Sequence, residues 1–385
     1  MSTSALSFPT QRYYRIAVST FFFIQGICFA SWASRIPDIK NKLQLTDGQL
    51  GGILLGLPLG QLTAMAMSGY LVSKLGSKTT LTIGSLIYPA VLVLIGSVHN
   101  AWQLTAALFL FGISGNLTNI SVNTQAVGVE RLYRRSIMAS FHGIWSLGGF
   151  AGGLVSTVMV TKNLAPQQHF ILIYCLALTL MLSARKFVLP RDAAAKTAKG
   201  PIFVKPDAAI LRLGLIAFAC MVCEGTMFDW SGIYFEKVLR VPENLTRIGY
   251  VAFMCTMASG RLLADKWVTK FGVQTILKSS GLIILAGLLT AVIFPYLITA
   301  TLGFLLVGIG VSSVVPMTYS LAGKSKTMLP GVALAAVSSI GFLGFLLGPP
   351  IIGFIAEAFN LRVSFTVIAI LGLGTTLLAG KIKTD

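Results

Sequence analysis

Acidic residues are scarce in this chain: 12 Asp and Glu stand against 30 Lys and Arg, and charged residues of both signs make up 11% of 385. A soluble protein covers its surface with roughly a quarter charged residues, so water is excluded as the main solvent. Histidine is rarer still. Three His with no Cys/His cluster exclude a metal site. The five cysteines, Cys28, Cys175, Cys220, Cys223 and Cys255, all fall in apolar stretches, where cysteine acts as a small hydrophobe, and a disulfide framework is not expected. Cys220-x-x-Cys223 has a redox-like spacing but no thioredoxin-type pattern around it. Gly323-Lys-Ser-Lys is not preceded by the first glycine that a phosphate loop requires. No nucleotide, ATP or other cofactor is therefore expected. No Ser, His and acid set falls in a soluble domain, and the chain reads as a non-enzyme.

What is present is apolar length. Hydrophobic residues reach 55% and the mean hydropathy is +0.81. A spanning helix needs roughly 20 mostly apolar residues, and such segments are expected at 15–34, 49–72, 79–98, 102–127, 138–160, 169–188, 209–235, 246–264, 275–295, 297–322, 331–356 and 363–380. The expected fold class is an all-α integral membrane protein with twelve transmembrane helices. The first segment has the basic flank and small-residue end of a signal peptide, but the spans after it favour retention. A net charge of +18 would suggest nucleic acid in a soluble protein. Here it reports topology instead. With the N-terminus inside, Arg35, Lys40, Lys42, Lys162, Lys237, Arg240, Arg247 and Arg362 are the eight basic residues that face outward, and the other 22 of the 30 face inward. They include Arg12, Arg15, Lys74, Lys78, Arg131, Arg134, Arg135 and a central cluster from Arg185 to Arg212. The positive-inside rule then puts both termini in the cytoplasm.

The longest polar interval, with Pro190, Pro201 and Pro206, divides the chain near its midpoint. Expected domains are an N-terminal half at 1–188, a cytoplasmic linker at 189–208 and a C-terminal half at 209–385. A repeat crosses the linker. Trp32 precedes Gly51 by 19 residues, and Trp230 precedes Gly249 by the same interval. The loop Gly69-Tyr-Leu-Val-Ser-Lys-Leu-Gly76 has its counterpart in the stretch from Gly260 to Gly272, which includes Asp265 and Lys266. Glycines crowd the fifth span at 148, 149, 152 and 153, and the eleventh at 341, 344, 348 and 353. Parallel six-helix halves follow from these matches.

The two loops resemble the signature loop of the major facilitator superfamily. The stretches Trp32-Ala-Ser-Arg-Ile-Pro37, His142-Gly-Ile-Trp-Ser-Leu-Gly148, Asp229-Trp-Ser231 and Gly344-Phe-Leu-Leu-Gly-Pro-Pro350 resemble its YbjJ and MosC branch of bacterial inner-membrane transporters. The resemblance implies two pseudo-symmetric six-helix bundles, a central solute cavity and alternating access in the bacterial inner membrane. It also implies that the loops gate the inner side, through Gly69, Ser73 and Gly76 in the first half and Asp265, Lys266 and Gly272 in the second. Ser73 replaces the family's acid, so the second copy is expected to matter more.

Ionisable residues inside spans are costly and are functional candidates by default. Glu224 lies near the middle of the seventh span and Asp229 about a turn and a half further outward. Burial penalises a charged carboxylate, which makes both candidates for proton coupling, with a hydrogen-bonded structural carboxyl as the alternative for each. Arg35 is a candidate outward gate partner of Asp229, against a solvated arginine that snorkels. Asn116, Asn119 and Asn123, spaced 3 and 4 apart, share a helical face that can line a cavity or join helices. His142 and Trp145 share a face at the inner end of the fifth span. Gln25, Gln61, Trp32, Trp230 and Tyr319 complete the solute-binding candidates, the two tryptophans being equally suited to an interfacial belt. The span glycines suit close helix approach, and Pro349-Pro350 a bend.

The function expected is secondary transport of a small polar or amphipathic organic solute across the inner membrane, coupled to protons, by a monomer in the lipid bilayer that uses no ATP and binds no nucleic acid. A multidrug/proton antiporter is the alternative within transport. A non-transporting membrane sensor or scaffold is the alternative outside it.

Overall fold

A computed structural model describes residues 8–133, 137–190, 206–325, 327–328 and 330–382. Arg134, Arg135 and the expected linker, except for its two ends, lie outside them. The described elements are helical. In chain order they are α1 (Phe8–Ala33), α2 (Ile36–Lys42), α3 (Asp47–Leu54), α4 (Gly56–Leu75), α5 (Ser77–Gly96), α6 (Ala101–Tyr133), α7 (Met138–Thr161), α8 (Pro166–Ala184), α9 (Ala208–Lys237), α10 (Ile248–Phe271), α11 (Val273–Ile293), α12 (Leu297–Ser312), α13 (Val314–Ala322), α14 (Pro330–Ala358) and α15 (Leu361–Ala379).

Each of the expected spans falls on a helix, but the twelve are not equally apolar. Ten helices among the described residues are long and apolar enough to cross a membrane, or eleven when the bent stretch Asp47–Leu75 is taken as one span. The helix α10 is not among them.

Local sequence sets the helix ends. Thr46 accepts from the Gln49 amide and Gln49 returns a bond to the Thr46 amide, a capping box that starts α3. Asp207 and Asn360 cap α9 and α15 through their side-chain oxygens. Pro166 opens α8 at a position where a missing N–H costs nothing. In contrast, α14 continues through Pro349 and Pro350 as one helix.

The chain forms two compact units. One comprises Met1–Arg35 with Gly56–Ala195, and the other Ile36–Leu55 with Lys196–Asp385. Within the first unit, α1 packs on α7 and α8, α4 on α6, and α5 on α6 and α8. Within the second, α9 packs on α14 and α15, α10 on α12, and α11 on α12 and α15. Each pairing in one unit has its counterpart in the other, so the repeat read from spacing is a repeat of packing. The glycines explain how close the pairs come: a Cβ on Gly148 would lie 2.5 Å from the Phe23 carbonyl oxygen between α7 and α1, and one on Gly344 2.4 Å from the Phe218 oxygen between α14 and α9. Lipid tails are as apolar as leucine, so backbone approach through small residues is what holds such helices together.

Candidate functional site

In the first unit the site candidates gather on α1, α6 and α7. Gln25 is 6% exposed and donates from Nε2 to the Gly115 carbonyl at 3.1 Å, which ties α1 to α6. Its own Oε1 and the neighbouring Asn116 Oδ1 are buried acceptors without a donor. Each orphaned acceptor carries a desolvation cost of about 1–3 kcal/mol. The asparagine face is split in use: Asn119 is exposed, and Asn123 donates back to the Asn119 carbonyl at 2.8 Å. His142 is exposed and meets the Phe22 ring edge-on, with centroids 5.3 Å apart. Trp145 is half-buried against Phe29, and Gln61 is half-buried on α4.

Arg35 is 1% exposed, so it is not a solvated snorkelling residue. Its Nε donates to His169 Nδ1 at 3.3 Å and its Nη2 to the Leu164 carbonyl at 2.8 Å. Trp32 is fully buried a turn before it, with an indole N–H that finds no acceptor.

In the second unit the two intramembrane carboxylates have different surroundings. Glu224 on α9 forms an ion pair with Arg261 on α10 at 3.0 Å, with side chains 11% and 17% exposed. Tyr319 of α13 stands in electrostatic range of Glu224. Asp229 is 8% exposed and makes no hydrogen bond or ion pair among the described residues. Tyr250 of α10 faces it electrostatically, with a buried hydroxyl that has no partner. Trp230, next along the chain, is fully buried with an unpartnered indole N–H, as Trp32 is.

A charged cluster in the same unit binds the short helices α2 and α3 to α9, α10 and α14. Asp47 bridges Lys40 at 3.1 Å and Lys237 at 2.8 Å, Asp38 pairs with Arg247, and the Gly48 amide donates to Glu357 at 3.1 Å. Arg247 also donates to the Glu243 carbonyl at 2.7 Å and is 2% exposed.

A profile of the Major Facilitator Superfamily matches residues 18–329. The chain belongs to that superfamily. An uncharacterised MFS-type transporter of Yersinia pestis is 31% identical over 350 residues, covering 91% of each chain. The membrane protein MosC of Rhizobium meliloti is 32% identical over 358 residues, 92% of this chain and 86% of that one. Two solved structures share the fold: the nucleoside transporter NupG, with a TM-score of 0.74 at 13% identity over 96% of this chain and 100% of its own, and a bacterial homologue of the human lysosomal transporter Spinster, inward-facing and occupied, with 0.74 at 16% over 97% of each. This superfamily member is thus a multi-pass secondary transporter of small solutes and not an enzyme.

The superfamily signature loops have the same backbone in both units. Gly76 has φ 80° and ψ 153°, and Gly272 has φ 77° and ψ 152°. That region is open to glycine and nearly closed to other residues, so the loops end on glycine because the chain reverses there. Gly69, Ser73 and Lys266 are exposed. Asp265 lies on α10, and its side chain is outside the described residues.

Sequence reasoning missed His169, Arg261 and the Asp38–Arg247 and Lys40–Asp47–Lys237 contacts as functional elements. Arg261 carried a usable signal, a cation inside the expected eighth span and next to Gly260 of the signature stretch. The others pair residues that are distant in sequence, such as Asp38 with Arg247, and no local pattern marks them.

Proposed function

We propose that this transporter couples the movement of a small polar or amphipathic organic solute to protons, and that the coupling carboxylates are Glu224 and Asp229. The observation that carries the reading is the Glu224–Arg261 pair. A proton and Arg261 compete for the same carboxylate: when Glu224 is ionised it ties α10 to α9, and when it takes a proton that ion pair is lost. Arg261 belongs to the signature stretch between Gly260 and Gly272, so its release acts on the segment assigned to the inner gate with Gly69, Ser73, Gly76, Asp265, Lys266 and Gly272. Asp229, buried without a cation, is the second proton site.

Solute binding is assigned to the amide and aromatic groups of the first unit, Gln25, Asn116, Asn119, Asn123, His142 and Trp145, with Trp32, Trp230 and Tyr319. The orphaned acceptors of Gln25 and Asn116 favour a solute that donates hydrogen bonds, which argues against the lipophilic cations of the multidrug alternative. Arg35 is assigned to the outer gate. The protein works as a monomer in the bacterial inner membrane with both termini in the cytoplasm, without ATP or nucleic acid.

A thermal-shift screen of metabolites on the purified protein identifies binders, since a ligand of the native state raises its melting point. Flux of each hit is then followed in proteoliposomes with and without an imposed pH gradient. Flux that ignores the gradient in the native protein refutes proton coupling, and binding without flux refutes transport of that solute. A green-fluorescent fusion to the C-terminus reports orientation on its own.

A further inference from the structure

The first unit holds a cavity of about 720 Å³ at the end where α1 begins. It is lined by Ile16, Ser19, Thr20 and Phe23 of α1, Ile144 of α7 and Leu180 of α8. At its mouth are Arg12 and Arg15. No acidic residue lines it among the described residues. Glu130, the acid closest to the mouth in sequence, is already used to accept the Ile137 and Met138 amides at 2.8 Å each. Arg15 is positioned by a bond to the Ser140 hydroxyl at 3.3 Å and by the Tyr133 ring, 5.6 Å from its guanidinium carbon. Arg12 is exposed and makes no hydrogen bond or ion pair among the described residues. Tyr13 stacks on Phe187 at 5.4 Å, which brings the exposed Arg185 and Lys186 to the same end of the unit.

This is an amphipathic cavity: two arginines without an acidic neighbour among the described lining residues, and a mainly apolar lining of Ile16, Phe23, Ile144 and Leu180 beside the hydroxyls of Ser19 and Thr20. None of the solute-binding or proton-coupling residues assigned above lines it. We propose that it holds an anionic phospholipid of the cytoplasmic leaflet, with the phosphate between Arg12 and Arg15 and an acyl chain along Ile16, Phe23, Ile144 and Leu180. The proposal rests on the cytoplasmic orientation of the N-terminus given above. Anionic headgroups gather on that leaflet, and basic pockets between spanning helices on that side recognise them. Arginine suits the role because its planar fork matches phosphate oxygens.

The test is native mass spectrometry of the full chain released from bilayers that contain phosphatidylglycerol and phosphatidylcholine in equal amounts, counting retained lipids. Selective retention of phosphatidylglycerol is expected, reduced about fivefold in Arg12→Gln and further in Arg12→Gln with Arg15→Gln, as each basic group near an anionic surface contributes about that factor. Lys270→Gln, an exposed cation on the other unit, leaves retention unchanged. Arg12→Gln keeps the test decisive if the double variant fails to fold, because Arg12 supports no described contact. Equal retention of both lipids, or unchanged retention in Arg12→Gln, overturns the proposal. Thermal protection by soluble glycerol 3-phosphate equal to that by the lipid also overturns it, since the site would then be a phosphate site. Lipid counts do not depend on flux, so failed proton coupling leaves this result intact, and the fluorescent fusion separates a wrong orientation from a wrong ligand.

Discussion

Replacing Glu224 with Gln tests the ion pair most directly. The oxygen lies 3.0 Å from Arg261, and the side chains are 11% and 17% exposed. Two unit charges at that distance interact by about 5 kcal/mol at an effective dielectric of about 20. Desolvation offsets much of this, and removing one partner of a buried pair typically costs about 3–5 kcal/mol because the other charge is left alone. Partial exposure moves the expected loss to about 2 kcal/mol for Glu224→Gln, and similarly for Arg261→Gln. The double variant leaves no orphaned charge and should be no less stable than either single one, a coupling of about 2 kcal/mol. Cys28, Cys220 and Cys223 are buried, so their reaction with a thiol-specific fluorophore during a temperature ramp reports unfolding in detergent. In proteoliposomes, Glu224→Gln should abolish the response of solute flux to a pH gradient while the solute still binds. Additive losses in the double variant would refute the energetic pair, and undiminished pH-driven flux would refute the coupling role.

The signature-loop glycines give a second expectation: Gly76→Ala and Gly272→Ala should each lose about 1–3 kcal/mol, as both occupy the same glycine-only backbone region, and melting temperature measures it. Gly148→Val should destabilise by about 1–3 kcal/mol or more and impair flux, because its Cβ alone would meet the Phe23 carbonyl at 2.5 Å. Asp47→Asn should loosen α2 and α3, since it leaves Lys40 and Lys237 facing each other, and hydrogen exchange over 36–55 should rise at least several-fold. Asp207 gives the pH dependence. The Thr327 hydroxyl, followed by the Ile210 and Ala209 amides, holds its carboxyl below the usual range. A depressed folded-state value means that the stabilisation is present above about pH 4 and disappears as pH falls through the folded value. Asp207→Ala should therefore cost up to about 1 kcal/mol at pH 7, as loss of a helix cap does, and less near pH 3.

Much of the fold was legible because its causes are local. Apolar runs of spanning length, Gly76 and Gly272 at the reversals, and Pro166 at a helix start act within a few residues. The repeat was legible from spacing, since the intervals from Trp32 to Gly51 and from Trp230 to Gly249 are equal although the helices within them differ. The site was legible by residue type only. Asn116 and Asn123 share a face by periodicity, yet one has an orphaned acceptor and the other bonds its own helix. Arg35 read as a gate partner of Asp229 or as a solvated arginine, and its contact with His169, 134 positions away, has no local signal.

The sequence by itself determined that the chain lives in a membrane, repeats its helices and carries very few buried charges, because the bilayer imposes length and polarity on every segment separately. Only the tertiary structure decided which charges neutralise each other. Glu224 and Asp229 are equivalent as letters in one helix, but Arg261 pairs with the first and no cation among the described residues pairs with the second, and that difference is set by how α10 packs on α9.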